Sequence, residues 1–243
     1  MTGTILITGA SSGIGLETAE AFLAKGWTVG LVARSAERLE AIASRHSRAV
    51  PLPADVTRAE DVEAAVVDFV SRAGRLDVVF NNAGIFTDTA TLDEISLESW
   101  YQSLAANLTG MFLTARAAFA QMRRQDVQGG RIINNGSISA HAPREGATCY
   151  TTTKHAITGL TKSISLDGRP FEIACSQIDI GNARTELLEG IVKRSIDRGE
   201  PPPPTMDLRH VAEAVLYIAN LPLAANVQFM TLMATKMPFI GRG

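Results

Sequence analysis

Short apolar and β-branched runs alternate along the chain with longer stretches whose apolar positions recur every three to four residues. The runs are TILIT (4–8), TVGLVA (28–33), AVPLPA (49–54), DVVFNN (77–82), RIINNG (131–136), IACSQI (173–178) and NVQFMTLMA (226–234). Several are continuously apolar, as expected of strands covered on both faces. Helical periods predict helices over 13–25, 36–46, 58–73, 97–125, 149–167 and 208–220. The capping box TRAE (57–60) marks one helix start, and Asp207 marks another. Strand and helix alternating in this way predict an α/β fold, a doubly wound seven-stranded parallel sheet flanked by helices, with right-handed crossovers. No linker or repeat divides the chain, so residues 1–243 read as a single domain. One segment breaks the rhythm, 181 to about 206, ending in GEPPPP (199–204). A stretch this long between strand and helix is a substrate loop or lid, or else a disordered insertion.

Composition narrows the class of protein. The 243 residues are 46% hydrophobic and 20% charged, which argues for a sizeable core and against disorder. A formal net charge of -2 gives no electrostatic reason to expect nucleic acid or anionic membrane as a partner. Cys149 and Cys175 make neither a disulfide framework nor a metal-ligand cluster, so no metal is expected. The start MTGTILITGA has no basic n-region, and its apolar run stops at Gly9. It is neither a signal peptide nor a membrane span, which sets a cytoplasmic location as the expectation.

The first strand leads into a glycine-rich turn and then an amphipathic helix. Gly9, Gly13 and Gly15 follow G-x-x-x-G-x-G, which differs from the commoner G-x-G-x-x-G. Such glycines let the backbone N–H groups around Ser11, Ser12 and Ile14 approach a diphosphate, with the helix presenting its positive end. A tight strand-to-helix turn with no ligand has the same signature. The end of the second strand adds a discriminator, since an acid there holds a ribose 2′-OH and an arginine accommodates a 2′-phosphate. This chain reads LVARSAERL, with Ala33 at that position and Arg34 and Ser35 after it. NADP(H) is therefore the expected cofactor, and NAD(H) the less favoured one.

Taken together, the motifs resemble the short-chain dehydrogenase/reductase family over nearly the whole chain. TGASSGIG (8–15), NNAG (81–84), ANLTG (106–110), NNGSISA (134–140) and Tyr150-x-x-x-Lys154 occur in the family's order. Ser137 lies thirteen residues before Tyr150, the family's usual separation. The resemblance implies a Rossmann-type fold that interconverts a carbonyl and an alcohol. It implies Ser137, Tyr150, Lys154 and Asn107 as catalytic residues, with Asn107 anchoring a water that links the lysine to solvent. Asp55 and Val56 would lie by the adenine, and Asn81, Ala83 and Gly84 would also meet the cofactor. Ile180 and Thr185 would meet the carboxamide, and Lys154 with Tyr150 the nicotinamide ribose. One departure stands out: IDIGNART places Ile180 where the family has proline, while Gly181 and Thr185 keep register. Proline would fix φ and remove a donor, so the segment beside the nicotinamide loses that constraint. The family also implies a homodimer or homotetramer. The tail QFMTLMATKMPFIG (228–241) is a candidate for that interface, or for ordinary core.

The chemistry explains why these residue types belong together. A free tyrosine, with a pKa near 10, is about three units too weak a base at pH 7, a deficit of roughly 4 kcal/mol. An ammonium about 4 Å away in partly screened surroundings is worth on the order of 4 kcal/mol. Lys154, one helical turn beyond Tyr150 on the same face, is placed to supply much of it. Ser137 can hydrogen-bond the substrate oxygen where charge develops. Cys149 is expected to point away from the tyrosine. His141 and Arg144 read as surface-loop residues. The alternative lines the substrate pocket with them, and Arg144 then meets an anionic substrate. A carbonyl reductase using NADP(H) is the expectation, and an NAD-dependent alcohol dehydrogenase is the alternative within that class. A dinucleotide-binding sensor is a third possibility, but a chain that had lost catalysis would be expected to lose Tyr150 or Lys154.

Overall fold

The computed structural model describes residues 2–185, 188, 192, 196, 199 and 201–240. Seven strands form one sheet: β1 (Thr4–Thr8), β2 (Thr28–Ala33), β3 (Ala49–Pro53), β4 (Val78–Asn81), β5 (Gly130–Asn135), β6 (Ile173–Ile180) and β7 (Phe229–Leu232). Their order is β3-β2-β1-β4-β5-β6-β7, and every neighbouring pair is parallel. Parallel strands need crossovers, and helices supply them on both faces. Helices α1 (Gly13–Ala24) and α2 (Ala36–Ala43) cover one face; α3 (Ala59–Ala73) covers the other. The pleat of β1 shows the division: Ile5 and Ile7 pack with Phe22 and Leu39, while Leu6 joins Val66 and Phe69.

The predicted helix over 97–125 is interrupted. It comprises α4 (Leu97–Ser103), a π-helical turn (Leu104–Thr109) and α5 (Gly110–Arg124). Within this turn Asn107 is buried, and its carboxamide bonds the backbone of Ile85 rather than facing solvent. Such π-turns are frequent at functional sites. Two further helices complete the layers, α6 (Thr148–Gly168) on the α5 face and α7 (Leu208–Ala219) beside α1.

Local signals fared unevenly. Asp207 caps α7, accepting from the Arg209 N–H at 2.9 Å. The TRAE capping box is not formed: Arg58 occupies the N-cap without a side-chain bond, and the Thr57 hydroxyl donates to Asp55 at 2.8 Å instead. The last strand is shorter than 226–234, because the amides of Asn226 and Gln228 are drawn to β6, both donating to the Cys175 carbonyl. The tail returns to the core at Met237, whose Sδ accepts from the Asn182 N–H, while Phe229 and Ile240 stay exposed. Of the expected substrate loop 182–206, positions 186–187, 189–191, 193–195, 197–198 and 200 lie outside the described residues. Its base is closed by a parallel bridge between Ala183 and Met206. Among the described residues no helix is long and apolar enough to cross a membrane.

Arg131, on central strand β5, is only 1% exposed. Its guanidinium donates to Asn226 Oδ1 at 2.6 Å and to the carbonyls of Leu221, Pro222 and Ala225 just past the end of α7. A cation there meets the negative end of the helix. Arg131→Ala leaves a cavity and several unsatisfied acceptors, so it is expected to cost about 3 kcal/mol in urea unfolding. A loss near zero would show that the cluster rearranges freely.

Candidate active site

The chain order of the strands reverses between β1 and β4, and in sheets of this kind ligands bind beyond the carboxyl ends at such a switch. A cavity of about 1070 Å³ lies there. Its walls come from the segments after β1, β2, β3, β4, β5 and β6, together with the start of α6.

At one end sits the turn between β1 and α1. Gly9 and Gly13 have φ of +68° and +53°, a region L side chains rarely adopt. With Ser11, Ser12 and Ile14 they line the cavity. Gly15 lies beneath rather than on the wall; a Cβ there would come within 2.7 Å of the Gly9 carbonyl carbon. Ser12 occupies the N-cap of α1 without a side-chain bond, so its first N–H groups face the cavity without that acceptor. These features fit a diphosphate. Thr185 arrives from the far side of the sheet, its methyl 3.4 Å from where a Gly13 Cβ would stand.

Beyond the turn, the β2 end contributes Arg34, Ser35 and Arg38, and the β3 end Asp55 and Val56. Asp55 is the one carboxylate among the described lining residues. The Thr57 backbone N–H bonded to it holds its carboxyl below the usual range, helped by the Thr57 hydroxyl and the Arg34 guanidinium against the cost of burial. Arg38 carries no motif of its own and reaches the cavity from the first turn of α2, just past Arg34 and the N-cap Ser35. Ser35 caps α2, accepting from the Arg38 N–H at 3.4 Å.

At the opposite end, Ser137, Tyr150 and Lys154 share one wall with Ala83, Gly84 and Ile180. Lys154 is buried, donates to the Asn135 carbonyl at 2.7 Å, and holds its ammonium 5.5 Å from the Tyr150 ring centre. Phe86 packs on Tyr150 at 5.0 Å between ring centroids. The Ser137 Oγ accepts from the Ser139 N–H at 3.1 Å, which leaves its hydroxyl proton for another acceptor. Ile180, the substitute for proline, extends β6 and pairs with Leu232. Cys149 is buried and off the cavity wall.

Three expected site residues lie off the cavity wall. Besides Gly15, Asn81 points under the sheet, donating to the Met111 carbonyl at 2.7 Å and to Asn134 at 3.2 Å. Its neighbour Asn82 faces the cavity, as the strand pleat requires. Asn107 is fully buried: its Oδ1 accepts from the Ile85 N–H at 2.7 Å, and its Nδ2 donates to the Ile85 carbonyl at 2.9 Å. Arg144 lines the cavity rather than the open surface, donating to Asn182 Oδ1 at 2.9 Å. His141 stays partly exposed, off the wall, against Asp179.

A cleft at the switch point, with a glycine turn at one end and a tyrosine–lysine–serine wall at the other, fits the class of nicotinamide-dependent α/β oxidoreductases. The short chain dehydrogenase family model matches residues 3–195, and the chain belongs to that family. It is accordingly an oxidoreductase of alcohol and carbonyl groups. The 2-(R)-hydroxypropyl-CoM dehydrogenase of Xanthobacter autotrophicus is 32% identical over 90% of this chain and 92% of its own. A 3-ketoacyl-(acyl-carrier-protein) reductase from Brucella melitensis, solved with NADH, superposes with a TM-score of 0.84 at 26% identity, covering 95% and 96% of the two chains. An alcohol dehydrogenase from Thermococcus sibiricus, solved with 5-hydroxy-NADP, gives 0.83 at 26% identity over 97% of each chain.

Proposed function

We propose that the protein is an NADP(H)-dependent oxidoreductase that interconverts a small ketone or aldehyde and its alcohol. The observation that carries this is the continuity of one cavity from two arginines, past a glycine turn, to Ser137, Tyr150 and Lys154. A nicotinamide bound in this cavity would supply or accept the hydride. Tyr150 gives its phenolic proton to the carbonyl oxygen, or takes it from the alcohol. Lys154 stabilises the phenolate electrostatically and would hold the ribose hydroxyls. Ser137 turns its free hydroxyl proton to the same substrate oxygen. Asn107 serves proton return indirectly, by holding the π-turn beside α6, since its side chain is committed to Ile85. Residues 1–243 act as one domain, with 182–206 as the substrate loop. Arg144 stands on the substrate side beside Asn182, where an acidic group on the substrate would meet a guanidinium.

The adenosine end supports NADP(H) over NAD(H). Arg34 and Arg38 flank the β2 end, and no acid stands where a ribose 2′-OH would be held. Arg34→Ala with Arg38→Ala is expected to raise the Kd for NADPH about 100-fold while leaving that for NADH within about threefold. An unchanged preference would refute the assignment. The activity itself is tested by following nicotinamide absorbance with a panel of carbonyls and alcohols and both cofactors. NADPH binding without turnover of any member would instead indicate a sensor.

A homodimer or homotetramer is supported by the exposed Phe112, Leu166, Tyr217 and Phe229, and light scattering reports it. A cytoplasmic location fits the two free, buried thiols. Burial pushes the Cys175 thiol up to about 12, against the weaker pull of Arg131, so it stays protonated and unreactive.

A further inference from the structure

Behind the serine lies a carboxylate that none of the roles above uses. Asp179, on β6, has no exposed surface. Burying a carboxylate is costly unless donors surround it, and here three do. Oδ1 accepts from the Ser137 N–H at 3.0 Å and from Gln177 Nε2 at 2.7 Å; Oδ2 meets His141 Nε2 at 2.7 Å. An ionised carboxylate only accepts, so Nε2 of His141 carries the proton. One side chain therefore grips both ends of the turn 137–141. Within it the Ala140 N–H donates to the Ser137 carbonyl, and the His141 N–H to that of Ile138. Gly136 permits the approach, because a Cβ there would overlap Asp179 Oδ1. Outside, the His141 ring packs edge-on against Phe239 at 6.3 Å.

The same carboxylate ends a buried chain of side-chain bonds. It runs from Asn134 through Thr161 to Gln177, at 2.9 and 3.0 Å, and then to Asp179. The chain ties α6, which carries Tyr150 and Lys154, to the turn that carries Ser137.

We propose that Asp179 is a positioning residue for Ser137. Its carboxylate, with His141 as the outer latch, fixes the turn so that the Ser139 N–H occupies an Oγ lone pair and the hydroxyl proton points into the cavity. This rests on Ser137 being the residue that polarises the substrate, and the test separates the two ideas.

The test compares Asp179→Ala, Asp179→Asn and His141→Ala, each with Ser137 present and with Ser137→Ala. The best substrate of the panel gives kcat and KM, fluorescence gives the NADPH Kd, and hydrogen exchange gives the 137–141 amides. Asp179→Ala is expected to lower kcat about 30-fold with Ser137 present and less than about threefold without it, at unchanged NADPH Kd. Asp179→Asn keeps an acceptor for the Ser137 N–H and is expected to recover kcat to within about fivefold. An equal loss in both serine backgrounds, or none in either, overturns the proposal. If Asp179→Ala does not fold, the partly exposed His141→Ala decides. Faster exchange of the 138–141 amides, with a kcat loss that requires Ser137, supports the latch, and unchanged exchange refutes it. If Ser137→Ala is as active as the wild type, the serine's assigned role has failed. The Ser137 amide then decides on the clamp alone: faster exchange in Asp179→Ala upholds it, and unchanged exchange rejects it.

Discussion

Tyr150→Phe is expected to lower kcat by about 10³-fold while leaving the Kd for NADPH within about threefold. The substitution removes one oxygen and little else. The ring stays in the first turn of α6, packed on Phe86 at 5.0 Å. Lys154 keeps its bond to the Asn135 carbonyl, which does not involve the phenol. Ser137 keeps the Ser139 N–H and the carboxylate behind it. What disappears is the only group in the proposed mechanism that moves a proton at the substrate oxygen. A loss confined to kcat, at unchanged melting temperature, is the signature of an interaction made in the transition state. Wild-type turnover by Tyr150→Phe would remove the tyrosine from the chemistry altogether. A parallel rise in the NADPH Kd would mean that the phenol mainly holds the cofactor.

The sequence carried the layers of this fold because continuously apolar strands and periodic helices are nearest-neighbour patterns. It carried the tyrosine–lysine pair because both lie on one helix, where a spacing of four fixes their relation. The failures share a physical cause, which is that the deciding partner is remote in sequence. Asn107 sits in the π-turn with its carboxamide on Ile85, and no property of residues 97–125 announces that loop. Thr57 is the exception, since it abandons its capping box for Asp55 only two residues away, where two donors from one residue hold a carboxylate. Asn81 and Asn82 differ by one step of the pleat, and only the paired neighbours say which of them faces the cavity. Asp179 had a local signal, since Gln177 and Asp179 alternate as polar positions in a strand buried on both faces. In IACSQIDI that alternation marks one side of β6 as polar, and that side faces α6 and the serine turn. The arginine of the cofactor end was legible one residue at a time. Arg38 required the helix that begins at Ala36 to be drawn back over the cavity.

Gly15→Ala is expected to abolish saturable NADPH binding, raising Kd more than about 100-fold, and to destabilise the protein by about 2 kcal/mol. The reason is geometric. The new methyl would overlap the Gly9 carbonyl, standing 2.7 Å from its carbon, and would lie 2.8 Å from Asn82 Nδ2. Gly9 holds a positive φ in the same turn, so it cannot yield without moving the backbone that faces the cavity. Asn82 is no softer: its amide donates to the Thr8 carbonyl and accepts from Asn135, whose own carbonyl holds Lys154. Displacement of this one contact thus reaches both ends of the cleft, the diphosphate turn and the lysine. Gly159→Ala is the matched control, since nothing lies within 4 Å of its Cβ in the interior of α6. That change should raise stability by about 0.5–1 kcal/mol and leave NADPH binding untouched. If Gly15→Ala bound NADPH as the wild type does, the turn would be a packing device and the diphosphate would have to sit elsewhere. Isothermal titration with NADPH, run beside urea unfolding of both variants, separates loss of the site from loss of the fold.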